Sequence, residues 1–142
     1  MFTLAHTLTL GFAAAGWVTL PAQVVEPLIA LSIAYVGLEN IFAKKLGRHR
    51  LILVFLFGLL HGLGFAGVLL DFGMPKESFL SSLISFNVGV ELGQLAVVGL
   101  ALLCVGWLFR SDPEKYRRYV SNPASFLITL VGLMWTVERV MA

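Results

Sequence analysis

Five apolar runs, at about 2–20, 24–43, 51–70, 79–109 and 122–140, carry most of this 142-residue chain. Runs of about 20 apolar residues are what a helix needs to cross the hydrocarbon of a bilayer, and no other environment tolerates so many of them in series. The breaks between them are turn-like: "TLPAQ", "KKLGRHR", "DFGMPKES" and "RSDPEKYRRYVSNP". An all-α, polytopic integral membrane bundle of about five transmembrane helices, forming a single domain over residues 1–142, is therefore expected.

Charge follows the same division. Only 13% of residues are charged against 58% hydrophobic, and most of the charges fall in the breaks. Lys44, Lys45, Arg48 and Arg50 occupy the second break and Arg110, Lys115, Arg117 and Arg118 the fourth, so eight of the ten basic residues belong to one side. The positive-inside rule makes that side cytoplasmic, which puts the N-terminus inside and the C-terminus outside a bacterial-type inner membrane. The first run has no basic residue before Lys44 and holds His6, Thr3, Thr7 and Thr9, a pattern unlike a cleaved signal peptide. No basic patch is interleaved with aromatics, so nucleic acid is excluded as a partner. Cys104 is the single cysteine, which rules out an internal disulfide or a thiolate cluster and leaves it as a small buried hydrophobe.

Against this background the informative residues are the polar ones inside the runs. An ionisable side chain at membrane depth costs about 2.5–3.5 kcal/mol on insertion scales and marks a site or pathway. Asn87, Glu91 and Gln94 in "FNVGVELGQ" lie at i, i+4 and i+7, within roughly 60° of one another on a helix. Ser32, Tyr35 and Glu39 align in the same way on the second run, with Asn40 next to Glu39. Counting residues from the breaks places His61 and Glu91 near the midplane, His6 and Glu39 in a second layer nearer the cytoplasm, and Glu26 at the outer mouth. Gly58 with Gly62, and Gly89 with Gly93, form two GxxxG pairs, predicted to bring their helices together so that His61 meets Glu91. His49 is expected to be solvated in its loop, Asp71 to end a helix or sit in a loop, and Glu138 to pair locally with Arg139.

Imidazole nitrogen and carboxylate oxygen suit divalent first-row ions, nickel, cobalt or zinc, and the absence of thiolates disfavours copper(I). His6, Glu39, Asn40, His61, Asn87, Glu91 and Gln94 are the candidate ligands. Structural hydrogen bonding across helices is the competing explanation for each of them. An intramembrane metal-dependent hydrolase is a second reading, although no HExxH pattern occurs, and a structural subunit with no ion of its own is a third.

The segments "FTLAHTLTL", "VEPLIALSIAYVGLEN", "FGLLHGLGFAGVL", "FNVGVELGQ" and "VGLMWTVERV", in this order and nearly end to end, resemble the HupE/UreJ family. The resemblance implies a membrane protein tied to hydrogenase and urease accessory functions, with nickel or cobalt permeation as the activity. Carried onto this sequence, it points to His6, Glu26, Glu39, Asn40, His61, Asn87, Glu91 and Gln94. Fuller members begin with further spans bearing a histidine-rich H…GxDH signature. A chain without them is a natural short form, an incomplete gene product, or a half that works with a second copy of itself or with partner helices; in each case the expected surroundings are a lipid bilayer and a transition-metal ion.

Overall fold

The computed structural model describes residues 1–43, 47–71, 79–106 and 112–142. Lys44, Lys45 and Arg110, three of the charges used above, lie outside them. The described residues are helical with no strand: α1 (Phe2–Ala14), α2 (Ala22–Phe42), α3 (His49–Asp71), α4 (Phe79–Ala101), the single turn α5 (Pro113–Tyr116) and α6 (Asn122–Met141). A π-helical turn, Leu102–Gly106, extends α4, and another, Arg117–Ser121, joins α5 to α6. Helices α2, α3, α4 with its π-turn, and α5 through α6 are long and apolar enough to cross a membrane.

The first run falls short of the span expected for it. Helix α1 has 13 residues, about 20 Å at 1.5 Å per residue, against some 30 Å of hydrocarbon. Its end is specified locally. Gly16 takes φ +76°, Trp17 N–H donates to Phe12 O at 2.9 Å, and Gly16 N–H donates to Ala13 O at 3.0 Å. That is a Schellman cap, closed by the Phe12 and Trp17 rings stacked 5.5 Å apart. Apolar residues continue past the cap, but the helix does not.

Small residues let the helices approach, because lipid gives no hydrophobic reward for burying large ones between them. A Cβ on Gly58 would lie 2.6 Å from Phe2 O and 2.9 Å from Ala5 Cβ, and one on Gly62 would collide with Thr9 Oγ1 and His6 O. Matching steps of four on both chains show that α1 and α3 run parallel, with Thr9 Oγ1 donating to Leu59 O at 2.8 Å between them. Helix α6 packs antiparallel on α2 through Gly132, whose Cβ would meet Ala34 N at 2.7 Å, and through Gly37 against Thr129 Oγ1 and Ser125 O. Helix α4 runs antiparallel to α1, with Leu83 level with Gly11 and Asn87 level with Thr7. The second GxxxG does not do what its spacing predicts: among the described residues nothing lies within 4 Å of a Cβ placed on Gly89 or Gly93.

The two ends of the bundle are marked by polar links. At one end Arg117 Nη2 donates to Ile41 O and Ala43 O, both at 3.2 Å, which draws the second and fourth breaks together as the charge pattern requires. At the other, Arg139 Nε lies 3.4 Å from Glu26 Oε2, so the partner of Arg139 is on α2 and is not its neighbour Glu138. Cys104, expected to be tucked away, is exposed on the π-turn.

Candidate functional site

Where α1, α3 and α4 meet, aromatic side chains enclose two imidazoles. His6 is 3% exposed. Phe2 stacks on it at 5.9 Å, Phe86 stacks at 6.4 Å, and the Phe65 edge meets it at 5.6 Å. The same Phe2 ring meets His61 edge-on at 5.2 Å. Because α1 begins level with Gly58, His6 stands in the layer of His61 and not in a separate layer nearer the cytoplasm.

The two rings differ in their hydrogen bonding. His61 Nδ1 donates to Phe57 O one turn back, at 2.8 Å, which fixes the tautomer and leaves Nε2 with its lone pair. Both nitrogens of His6 are buried without a partner. An unsatisfied buried polar group costs about 1–3 kcal/mol, so the position is expensive unless something else engages the ring. A ligating histidine commonly donates its second nitrogen to a backbone carbonyl, as His61 does.

Helix α4 supplies the next group. Asn87 Nδ2 donates to Leu83 O at 2.8 Å and its Oδ1 accepts from Thr7 Oγ1 at 2.7 Å. Thr7 Oγ1 also lies 2.8 Å from Thr3 O, so one hydroxyl proton has two acceptors in reach. Glu91, one turn further along α4, borders a cavity of about 450 Å³ with Met1, Thr3, Leu4, Thr7 and Leu8. Glu91 is exposed and makes no hydrogen bond or ion pair among the described residues. The predicted His61–Glu91 contact is absent from them as well: Glu91 lies against the Thr3 and Thr7 side of α1, His61 against its Phe2 side. Gln94 is exposed beyond Glu91.

Glu39 and Asn40 sit elsewhere, at the end where α2 turns into α3. Glu39 Oε1 is 3.0 Å from His49 Nε2, its Oε2 is 3.5 Å from Arg50 Nη1, and Arg50 Nη1 donates to Asn40 Oδ1 at 2.9 Å. His49, expected in a loop, is the first residue of α3; it is 60% exposed, but it is engaged by Glu39. Of the predicted stripe on α2, Ser32 is buried and Glu39 is covered, whereas Tyr35 turns outward with its ring edge-on to Phe57.

The seven candidate ligands thus fall into three places, and no group of three or more His, Cys, Asp or Glu is gathered among the described residues. The imidazole pair offers lone pairs in an apolar box. The α1–α4 seam offers a lone carboxylate with hydroxyls, and the Glu39 corner is already engaged by Arg50 and His49. Phe2, Phe65 and Phe86 were not singled out from the sequence, since aromatic residues in an apolar run carry no positional signal. Thr3 and Thr7 did carry one, the i, i+4 spacing that puts both on the same face of α1.

The profile of the family described as HupE / UreJ protein matches residues 1–139. The chain belongs to the HupE/UreJ family. Comparisons with curated proteins and with solved structures return no match. HupE/UreJ proteins are transporters and accessory proteins and not enzymes, which removes the support for the hydrolase reading. The family handles nickel and cobalt, and its long apolar helices make this chain a multi-pass membrane protein.

Proposed function

We propose that this HupE/UreJ chain is a permease, or the ligand-bearing component of one, for a divalent transition-metal ion, with nickel or cobalt as the preferred substrate and zinc as a weaker one. The observation that carries the reading is His6, enclosed by three phenyl rings with both nitrogens unpartnered and a second, pre-oriented imidazole across the Phe2 ring. Neutral imidazoles bind such ions, and a site with few charged ligands holds them weakly enough to let go, which conduction requires. Asn87, Glu91 and Gln94 would serve the ion along α4. Glu39 and Asn40, already engaged by Arg50 and His49, would stand outside this path, at the end that would face the cytoplasm across the inner membrane, with residue 1 inside and residue 142 outside.

Cobalt(II) tests this directly, since imidazole coordination changes its visible absorption. The wild-type chain in detergent should develop a saturable absorption band and gain thermal stability with Co²⁺, because a ligand that binds only the folded state stabilises it by mass action. His6→Ala and His61→Ala should lose both responses, His49→Ala should keep them, and cells expressing the wild type should accumulate more nickel than cells expressing His6→Ala. A His6→Ala protein that responds to cobalt as the wild type does would leave the two imidazoles as structural glue.

A further inference from the structure

We infer that the seam between α1 and α4 holds a second cation station, separate from the imidazole pair, built from the Glu91 carboxylate and the hydroxyls of Thr3 and Thr7, and that the Thr7–Asn87 hydrogen bond is the barrier between the two. The cavity of about 450 Å³ at Glu91 is lined by these three polar residues with Met1, Leu4 and Leu8. A water occupies about 30 Å³, so the volume exceeds the roughly 180 Å³ that a six-water shell fills. This room and a donor set of oxygens alone suit a divalent cation that keeps most of its water. No lysine or arginine among the described residues pairs with Glu91, whereas Arg50 and His49 occupy Glu39. Unlike Glu39, paired with Arg50, and Glu26, paired with Arg139, Glu91 keeps its charge available to a cation.

Along α4 the seam is a sequence of steps from the cavity to the aromatic box, whereas on α1 His6 falls between Thr3 and Thr7 in the chain and faces the box from beside the link. On α4, Glu91 lies at the cavity, Asn87 at the link, and Phe86 against His6. On α1, Thr3 lies at the cavity, Thr7 at the link, and His6 one residue earlier faces the aromatic box. One helical turn, about 5–6 Å along the axis, separates the stations. Asn87 is fully occupied while the link holds, with Oδ1 on Thr7 and Nδ2 on Leu83 O. When Thr7 swings its hydroxyl proton to Thr3 O, its alternative acceptor 2.8 Å away, Asn87 Oδ1 becomes free to take a cation from Glu91. The ion would then leave oxygen ligands and water for the nitrogens of His6. This hand-over rests on the permease reading; the oxygen station does not.

Two ions separate the stations by donor chemistry. Manganese(II), which prefers oxygen, is counted as bound ion by the loss of its free-ion paramagnetic resonance signal. Cobalt(II) reports imidazole by its absorption. Manganese binding to the full chain in detergent should fall at least ten-fold in Glu91→Gln, fall only a few-fold in Glu91→Asp, and persist in His6→Ala. Thr7→Val, which removes the link, should raise the rate at which cobalt reaches its absorbing state by about three- to fifteen-fold, the factor expected for one interhelical hydrogen bond in a membrane protein. Manganese binding that is indifferent to Glu91→Gln, or lost equally in His6→Ala, overturns the separate station. An unchanged or slower cobalt rate in Thr7→Val overturns the barrier. Failure of the cobalt signal to depend on His6, with manganese still dependent on Glu91, would sink the permease reading and leave the oxygen station standing.

Discussion

Substituting alanine at Gly62 and at Gly93 separates a glycine that seats a helix from one that only has the same spacing. A methyl group on Gly62 runs into His6 O and Thr9 Oγ1 and comes within 2.9 Å of Leu10 N. Thr9 can rotate away, but His6 O and Leu10 N are helix backbone, so α1 itself must move. Overpacking of this kind costs about 1–3 kcal/mol. Alanine in place of glycine also gains about 1 kcal/mol of helix propensity, and this gain is common to both sites. The difference between the variants therefore isolates the packing: Gly93→Ala, with nothing within 4 Å, should be neutral to about 1 kcal/mol stabilising, and Gly62→Ala about 1–3 kcal/mol less stable than that. Reversible unfolding in mixed micelles, followed by circular dichroism, measures both. Because the carbonyl that is displaced belongs to His6, Gly62→Ala should also weaken the cobalt response that Gly93→Ala leaves intact. Equal stabilities, or a loss confined to Gly93→Ala, would refute the assignment of α3 as the seat of α1.

The remaining expectations concern the ends of the bundle. With Cys104 replaced by serine to remove an exposed thiol, Thr19→Cys in intact cells should react with an impermeant reagent, and Glu114→Cys should react only after permeabilisation; the reverse pattern would invert the orientation. Glu26→Gln should cost no more than about 1 kcal/mol in unfolding measurements, since the Glu26–Arg139 pair is half exposed, and a larger loss would mean that the pair does more than tie two helix ends. The Lys115 backbone N–H, followed by the Lys115 side chain, holds the Asp112 carboxyl below the ordinary carboxylate range. Its capping of α5 is thus complete above that range and is lost as pH falls through the lowered value, so amide exchange at residues 115 and 116 should accelerate below about pH 4 in the wild type and show no such step in Asp112→Asn.

Hydropathy made the bundle legible because lipid imposes one rule on every residue of a span, and a one-dimensional count can read it. It misplaced the end of α1 because Trp17, Val18 and Leu20 are as apolar as the residues before them, while the stop is written in a single backbone angle at Gly16. The letters "AAAGW" hold that signal, but a count of apolar residues passes over it. The pairing of glycines was beyond such a count altogether. Gly58 with Gly62 and Gly89 with Gly93 have the same spacing in equally apolar runs, and only the placement of α1 decides that the first pair is covered and the second is not.

The site shows the same dependence on register, with chemical consequences. Measuring the depth of His6 from the start of its run assumes that residue 2 stands at the membrane edge, whereas Phe2 lies beside Gly58, nine residues into α3. Sliding α1 along α3 by that amount moves His6 into the layer of His61, and it brings Thr3 and Thr7 beside the α4 turn that bears Asn87 and Glu91. Glu39 is lost to the site for the opposite reason. Arg50, one of the basic residues of the second break, and the adjacent His49 pair with it from the start of α3. A carboxylate beside a guanidinium has spent most of its attraction for a metal ion, whereas an imidazole with two bare nitrogens has spent none. Residue type supplies the inventory of donors, but an ion can use only those whose lone pairs the packing leaves free, as it does on His6, His61 and Glu91.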